Sequence, residues 1–388
     1  MIYLDNNATT ALDPDVAEAM FACFLRGPMN ASSQHAIGRA ARNLLDQAIS
    51  EIGSMLNADV DSPGGDQLIL TSGGSESNNL ALTGIGDTSA PLVVSAIEHP
   101  SVLAVASAMQ AAGREVRVIA ALPSGKIDLD SAKEVITRGD RPALVSVMAA
   151  NNETGVIQPL AAVAEICHEA SVPLHIDATQ TIGKFPFDFA KSGAAAVTMT
   201  AHKFHGPAGI GALLVRRGVA LKPLMLGGEQ QLGKRPGTEA VPLAIGMAKA
   251  LAIALRDQLE VNRRVMSLRD QFESSLRQSI ETVLFHGVDS ERLPGTSCFS
   301  LPGVDRQNML MALDLAGVAC SSGSACASGS SRPSHVLEAM GLATAAVESS
   351  LRVGFSKFST MADAEQATAI ISNQYRRLRR MAAVENSN

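Results

Sequence analysis

The strongest constraint on the fold is an alternation, from about residue 67 to residue 215, of short apolar runs with longer helical segments. The runs are QLILTSG, LVVSAIEH, EVRVIA, ALVSVMAAN, PLHIDATQ, AAVTMTAHK and IGALLVRR. Because most of them are apolar throughout, they predict strands buried on both faces, as in a mostly parallel sheet covered by helices. Ligands of such sheets bind beyond the carboxyl ends of the strands, and several runs end in polar residues or glycine.

The pattern changes after about residue 240. A long helical segment covers residues 239 to about 278, the short strands VLFHG, GTSCFSLPG and SLRVGFS follow, and a final helix covers residues 362 to about 384. With 388 residues, of which 46% are hydrophobic, the chain can build more than one core. We therefore predict an α/β protein with a large domain at residues 1–259, whose N-terminal segment packs on the second domain, and a smaller α+β domain at residues 260–388.

Composition and charge exclude several function classes. The formal net charge is −6 and aromatic residues make up 3% of the chain, so we expect no nucleic-acid binding. The most apolar stretch, residues 240–255, contains a proline and a lysine and is too short to span a membrane, and MIYLDNNATT lacks the pattern of a signal peptide. Five scattered cysteines indicate free thiols in a reducing, cytoplasmic setting. The sequence has no second Cys or His pair at zinc spacing, so we expect no metal site.

A glycine-rich turn at residues 71–78, TSGGSESN, follows the first of these strands and precedes a helical pattern. Its glycines can therefore expose backbone amides at a helix N-terminus, which is a phosphate-binding arrangement. The spacing matches neither a P-loop nor a dinucleotide fingerprint. Taken alone, the segment fits an ordinary tight turn as well.

Asp177 ends one strand and Lys203 follows the next, so both side chains can project into one cleft from adjacent strand ends. On spacing alone they could equally form an ion pair. A lysine of lowered pKa can form a Schiff base, and a carboxylate beside a pyridine nitrogen makes pyridoxal 5′-phosphate (PLP) an electron sink. Together with the phosphate-binding turn, the two residues predict a PLP site. His99, which ends the strand LVVSAIEH, offers a ring that could stack on the pyridine, although a lone histidine there also fits a helix cap.

Cys326 lies in a run of small residues, CSSGSACASGSSRPS, that offers nothing to anchor it in a core. The run predicts a loop with an accessible, reactive thiol, unlike Cys167 and Cys298, which lie in apolar periodic segments. An inert surface thiol, or a metal or redox pair with Cys320, is the alternative.

Arg352 lies inside the otherwise apolar strand SLRVGFS of the second domain. An arginine in such a place needs an anion, and its planar guanidinium suits a substrate carboxylate. An internal salt bridge explains the residue equally well.

Ten segments in this order resemble the PLP-dependent cysteine desulfurases, specifically the NifS/IscS-like group of the class V aminotransferase family. They extend over nearly the whole chain and are YLDNNATT, NASSQHAIGRA, LTSGGSESNN, EHPSVL, NNETGVIQP, HIDATQTIGK, TAHKFHGPAGIGAL, GGEQQLGKRPGT, SSGSACASGSSRPSHVLEAMG and SLRVGFS. The resemblance implies the PLP-dependent transferase fold type I and a homodimer with its active site at the subunit interface.

The resemblance also implies a role for each matching residue. Those that would contact the cofactor are Lys203 as its covalent attachment point and catalytic base, Asp177 at the pyridine nitrogen, Gln180 at the phenolic oxygen, His99 on the ring, and Gly74, Ser75, Thr200, His202 and, from the partner subunit, Thr238 at the phosphate. Asn152 and Arg352 match the positions that bind the substrate carboxylate. Cys326 matches the sulfur-accepting cysteine.

The implied reaction converts L-cysteine to L-alanine and leaves the sulfur on Cys326 as a persulfide. An acceptor protein, such as a scaffold for iron–sulfur cluster assembly, would then take the sulfur. A selenocysteine lyase or another PLP enzyme of the same fold is the alternative. A cofactor-free thiol carrier that uses Cys326 is the alternative from another class.

Overall fold

The computed structural model describes residues 1–323 and 333–385, so Cys326 lies outside the described residues. The strands are β1 (Ile2–Tyr3), β2 (Gln67–Thr71), β3 (Leu92–Ser95), β4 (Val116–Ile119), β5 (Leu144–Met148), β6 (Leu174–Asp177), β7 (Ala196–Thr200), β8 (Gly211–Val215), β9 (Leu284–His286), β10 (Thr296–Ser300), β11 (Val318–Ala319) and β12 (Ser350–Gly354). The helices are α1 (Pro14–Phe24), α2 (Ala36–Met55), α3 (Gly74–Gly84), α4 (Pro100–Ala111), α5 (Leu129–Thr137), α6 (Leu160–Glu169), α7 (Val241–Ser279), α8 (Arg306–Leu315), α9 (His335–Ala339), α10 (Thr344–Glu348) and α11 (Met361–Glu385).

Seven of the described strands form a central sheet in the order β2-β8-β7-β6-β5-β3-β4. Five adjacent strands of this sheet run parallel to one another, namely β7, β6, β5, β3 and β4. Strand β8 is antiparallel to both β7 and β2. The prediction of a mostly parallel α/β sheet is therefore confirmed.

Successive residues of the central strands face two separate cores. In β2, Leu68 and Leu70 belong to one hydrophobic cluster, whereas Ile69 between them belongs to another. In β8, Leu214 and Leu213 are divided in the same way. Since side chains alternate between the two faces of a strand, this division places helices against both faces of the sheet. Every residue of β5, β7 and β8 is accordingly buried.

A third core belongs to the C-terminal part of the chain. Its sheet is antiparallel, in the order β12-β10-β9, and its hydrophobic cluster includes Phe272, Phe299 and Ile371. Ile2 and Leu4 belong to the same cluster, and β1 pairs in parallel with β11. The first residues of the chain therefore pack on its C-terminal part.

Helix α7 is continuous through the predicted domain boundary at residue 260. Its first half contributes Val241 and Leu251 to one core of the central sheet, and its second half contributes Val265 and Phe272 to the C-terminal core. One helix of 39 residues therefore joins the two domains. Across the described residues, no helix combines enough length with enough apolar character to cross a membrane.

Candidate active site

Polar side chains converge in a cleft at the carboxyl edge of the central sheet, which we call the sheet-edge cleft. Its volume is about 640 Å³. Its lining residues are Gly74, Ser75, Asn78, His99, Ser101, Met148, Ala150, Asn152, Asp177, Thr179, Gln180, Thr200, His202 and Lys203. The structure therefore brings nine of the twelve predicted site residues together, at the ends of β2, β3, β5, β6 and β7.

The N-terminus of α3 opens into the sheet-edge cleft. Its cap residue is Gly73, which has no side chain to bond the amides of the first turn. A Cβ atom added to Gly74 would lie 3.2 Å from Thr179 Oγ1, so the helix approaches that hydroxyl closely. Thr179 Oγ1 is buried and has no hydrogen-bond partner. Free amides, an unpaired hydroxyl and the positive end of the helix dipole together favour an anion at this point.

The carboxylate of Asp177 is buried and held by two N–H donors. Asn78 Nδ2 donates to its Oδ2 at 2.8 Å, and the amide of Thr179 donates to its Oδ1 at 3.0 Å. Asp177 is 4% exposed, so these bonds fix its orientation. The Asn78 amide also donates to Ser101 Oγ at 2.9 Å, which links Asp177 to the residues around His99.

Lys203 lies in a single 3₁₀ turn directly after β7. Its amine donates to the backbone oxygens of Asn7 at 2.6 Å and Ala8 at 2.8 Å, rather than to Asp177. Burial, and next the positive charge of Arg352, lower the pKa of Lys203 to about 8 because both disfavour the ammonium form. A substantial fraction of the amine is therefore neutral and nucleophilic near pH 8.

His99 caps helix α4 and also lines the sheet-edge cleft. Its Nδ1 accepts the amide hydrogen of Ser101 at 3.1 Å and lies 2.8 Å from Ser101 Oγ. Burial lowers the pKa of His99, so the ring is neutral near pH 7. His99 can therefore cap the helix and still present its ring to the cleft.

The remaining polar residues of the cleft are bonded to the N-terminal segment and to nearby backbone. Gln180 Nε2 donates to Asn7 O at 2.9 Å, and His202 Nδ1 lies 3.1 Å from Thr9 Oγ1. Burial, followed by the charge of Lys203, lowers the pKa of His202 to about 4, so its ring is neutral. Thr200 Oγ1 donates to a backbone oxygen at 3.0 Å.

Arg352 does not line the sheet-edge cleft but lies directly behind Asn152, which does. Its Nη1 donates to Asn152 O at 2.9 Å, and its Nη2 donates to Asp5 Oδ1 at 2.6 Å. The internal salt bridge left open by the sequence is therefore present. The Nε atom of Arg352 is nevertheless buried without a hydrogen-bond partner, so the guanidinium retains an unused donor. Thr238 is exposed and is not among the residues that line the cleft.

Residues on both sides of the segment 324–332 contact the same buried carboxylate, that of Glu153. Ser334 Oγ donates to Glu153 Oε2, and a Cβ atom added to Gly323 would lie 2.8 Å from the same oxygen. Burial raises the pKa of Glu153. Glu153 directly follows Asn152, which lines the sheet-edge cleft, so Gly323 and Ser334 both contact the residue next to Asn152.

Lys203 also lines a second cavity, of about 690 Å³, whose walls come from both domains. We call it the interdomain cavity. Lys184 lines this cavity, and its amine donates to Gln180 Oε1 at 3.0 Å. The side chains of Lys184 and Gln180 therefore connect the two cavities.

Several residues of the site were not singled out from the sequence. Thr179 and Lys184 lie in the quoted segment HIDATQTIGK, and Asn7 lies in YLDNNATT, but no residue type there pointed to a role. The position of Thr179 between Asp177 and Gln180, directly after a strand, was the available signal. Asn7 acts through its backbone oxygen, for which side-chain chemistry gives no signal.

The chain matches the family model described as Aminotransferase class-V over residues 2–366. It is 39% identical to a cysteine desulfurase of Gluconacetobacter diazotrophicus over 98% of this chain and 94% of that protein. It is also 39% identical to an IscS-like cysteine desulfurase of Mycobacterium tuberculosis over 98% of both chains. Among solved structures, the NifS-like protein from Rickettsia africae matches with a TM-score of 0.89 at 30% identity, over 97% of this chain and 99% of that chain. The predicted fold class is confirmed by this agreement over both domains.

Proposed function

The chain belongs to the cysteine desulfurases of the aminotransferase class-V family, and we propose that it performs this reaction in the sheet-edge cleft with PLP as its cofactor. One observation carries the assignment of the site. An uncapped helix N-terminus, a buried carboxylate and a lysine of lowered pKa line the same cleft. These are the three groups that a phosphate, a pyridine nitrogen and an aldehyde require.

The residues of the cleft fit PLP. The free amides at Gly74 and Ser75 and the unpaired Thr179 hydroxyl would hold the phosphate, with Thr200 and His202 beside them. Asp177, oriented by two N–H donors, would hold the protonated pyridine nitrogen. When bound, PLP withdraws electrons from the α-carbon of an amino acid substrate.

Lys203 would hold the cofactor and, once released by the substrate, move the α-proton. Its pKa of about 8 lets the amine accept a proton near neutral pH and give it up again, which suits general acid–base catalysis. The neutral His99 ring would cover one face of the cofactor. Asn152 and Arg352 would bind the substrate carboxylate through the amide and the guanidinium.

Cys326 would receive the sulfur. Its thiolate attacks the sulfur of L-cysteine, the bond between that sulfur and the substrate β-carbon breaks, and a sulfur–sulfur bond forms on Cys326. The electron pair of the broken bond stays with the carbon skeleton, which takes up protons to become L-alanine. The persulfide would then pass to an acceptor protein in the cytoplasm, such as an iron–sulfur cluster scaffold.

We further propose a homodimer with a shared active site. Large apolar side chains are exposed on two segments, Phe21 and Leu25 at α1 and Leu226 and Leu232 before α7. Leu226 is 91% exposed, which is costly in water unless another surface covers it. The exposed Thr238 follows these leucines and would reach the phosphate of the second copy.

Product analysis tests the proposed function. With PLP and a reductant, but without any keto acid, we expect the protein to convert L-cysteine to equal amounts of L-alanine and sulfide. A transaminase would need the keto acid and would leave the sulfur on the substrate. A selenocysteine lyase would release alanine from L-selenocysteine but not from L-cysteine. Either result would contradict the proposal.

Arg352→Ala is expected to raise the KM for L-cysteine while leaving the bound PLP content unchanged. Losing a two-point bond to a carboxylate costs about 2 to 4 kcal/mol, which corresponds to roughly 30- to 900-fold in kcat/KM. Steady-state kinetics and the PLP absorbance measure the two effects.

Asp5→Asn is the matched control for Arg352→Ala. It removes the carboxylate that pairs with Arg352 Nη2 but keeps the guanidinium. We expect it to change KM only slightly. Equal effects of the two substitutions would mean that Arg352 serves only its salt bridge with Asp5.

A further inference from the structure

The amide of Gln180 is held at both ends. Its Nε2 donates to the backbone oxygen of Asn7 at 2.9 Å, and its Oε1 accepts from the amine of Lys184 at 3.0 Å. A backbone oxygen only accepts, so Nε2 must face Asn7 and Oε1 must face Lys184. Gln180 is 4% exposed, so water offers little competition for either bond.

This arrangement leaves one donor of Gln180 for a ligand. The amide nitrogen carries two hydrogens, of which Asn7 O takes one. Gln180 lines the sheet-edge cleft, whereas Lys184 lines the interdomain cavity. A rotated amide would present its oxygen to the cleft and would repel an anionic phenolic oxygen there.

We infer that Lys184 is a positioning residue, which fixes the Gln180 amide with an N–H group toward the cofactor and adds a positive charge behind that amide. The inference rests on the proposed function, because it assigns the phenolic oxygen of PLP to Gln180. Lys184 is not among the residues that line the sheet-edge cleft. It acts through Gln180. The Asn7 oxygen that accepts a hydrogen bond from Gln180 also accepts one from the Lys203 amine at 2.6 Å.

The charge of Lys184 already acts on its neighbours. Burial lowers the pKa of His202 and of His205, and the charge of Lys184 lowers both further, because a nearby cation disfavours a second positive charge. Burial, followed by the charges of Lys203 and Arg352, lowers the pKa of the Lys184 amine to about 7. The other charged and titratable groups around this amine are His202 and His205, and Asp257 and Lys357 in the interdomain cavity. Removing the Lys184 charge should therefore raise the pKa of any acid bound beside Gln180.

The test is a pH titration of the absorbance of bound PLP in the complete holoenzyme. Lys184→Met removes the donor and the charge but keeps the length of the side chain. We expect the midpoint of the absorbance change to move up by about one pH unit. Lys184→Arg keeps a charged donor and should restore a midpoint near that of the unmodified protein.

The control is Lys191→Met, the same change at a lysine whose side chain is 85% exposed. It should leave the midpoint within about 0.2 pH units. If Lys184→Met fails to fold, Lys184→Gln replaces it; this variant keeps an N–H donor but removes the charge, so the midpoint should still move up. A Lys184 variant that lowers the melting temperature but keeps the midpoint overturns the inference, because a purely structural lysine would behave in that way. Absence of PLP attached to Lys203 in the unmodified protein would instead contradict the proposed function.

Discussion

Replacing Lys203 with alanine is expected to abolish covalent attachment of PLP and to lower L-cysteine turnover by roughly 10²- to 10⁴-fold. The amine lies at the end of β7, lines the sheet-edge cleft and has a pKa of about 8. Borohydride reduction followed by mass spectrometry of tryptic peptides locates the attachment. In the unmodified protein the adduct should be on the peptide that contains Lys203.

Lys184 makes this experiment discriminating, because it is the other lysine near the site with a strongly lowered pKa. Burial, followed by the charges of Lys203 and Arg352, lowers the pKa of Lys184 to about 7, so part of its amine is neutral near pH 7 and can react with an aldehyde. Its side chain, however, lines the interdomain cavity rather than the cleft that contains Asp177. A PLP adduct on Lys184 would therefore disprove the assignment of the cofactor to the sheet-edge cleft. Lys191→Ala, at an exposed position, controls for the loss of a lysine as such.

Cys326→Ser is expected to retain PLP and its spectral response to L-cysteine but to form no persulfide and release no alanine. A hydroxyl does not attack sulfur usefully at neutral pH, whereas a thiol with a pKa near 8.5 is partly ionised and strongly nucleophilic. Radioactive sulfur from labelled L-cysteine, followed on the protein under non-reducing conditions, measures the transfer.

The other cysteines are poorly suited to accept sulfur. Burial raises the pKa of Cys167 and of Cys320 to about 12, and it also raises the pKa of Cys23 and Cys298. These thiols stay protonated near pH 7. Cys320→Ser is therefore the matched control and should accept sulfur normally. If Cys326→Ser turned over at the rate of the unmodified protein, another cysteine would be the sulfur acceptor.

The strands of the central sheet could be predicted because each is an apolar run of limited length between polar or glycine-containing segments. The direction of β8 was not predicted, because GALLV resembles the parallel strands in composition. The signal was the short connection from Thr200 to Gly211. A parallel crossover needs about a dozen residues or more, commonly with a helix, whereas a shorter connection returns antiparallel.

The candidate site was predictable where one rule governs it. Parallel strands end at the same edge of the sheet, so Asp177, Thr200 and Lys203 could be placed together from sequence alone. The pairing of Arg352 with Asp5 could not, because the two residues are 347 positions apart and meet only after β12 and the N-terminal segment have packed together. The role of the Asn7 oxygen, which accepts hydrogen bonds from both Gln180 and Lys203, was also unpredictable, since every residue has a carbonyl.

The attachment of the N-terminal segment to the C-terminal domain has a consequence for the order of synthesis. Strand β1 can pair only after β11 has been synthesised, and Asn6 donates to the backbone oxygen of Gly354, 348 positions later. A ribosome adding about 5 to 20 residues per second needs roughly 20 to 70 s to cover that distance. Until then the nascent chain lacks the anchored carbonyls of Asn7 and Ala8 that receive Lys203. We therefore expect cofactor capture to follow synthesis of β12, and translation products that stop before this strand to remain colourless.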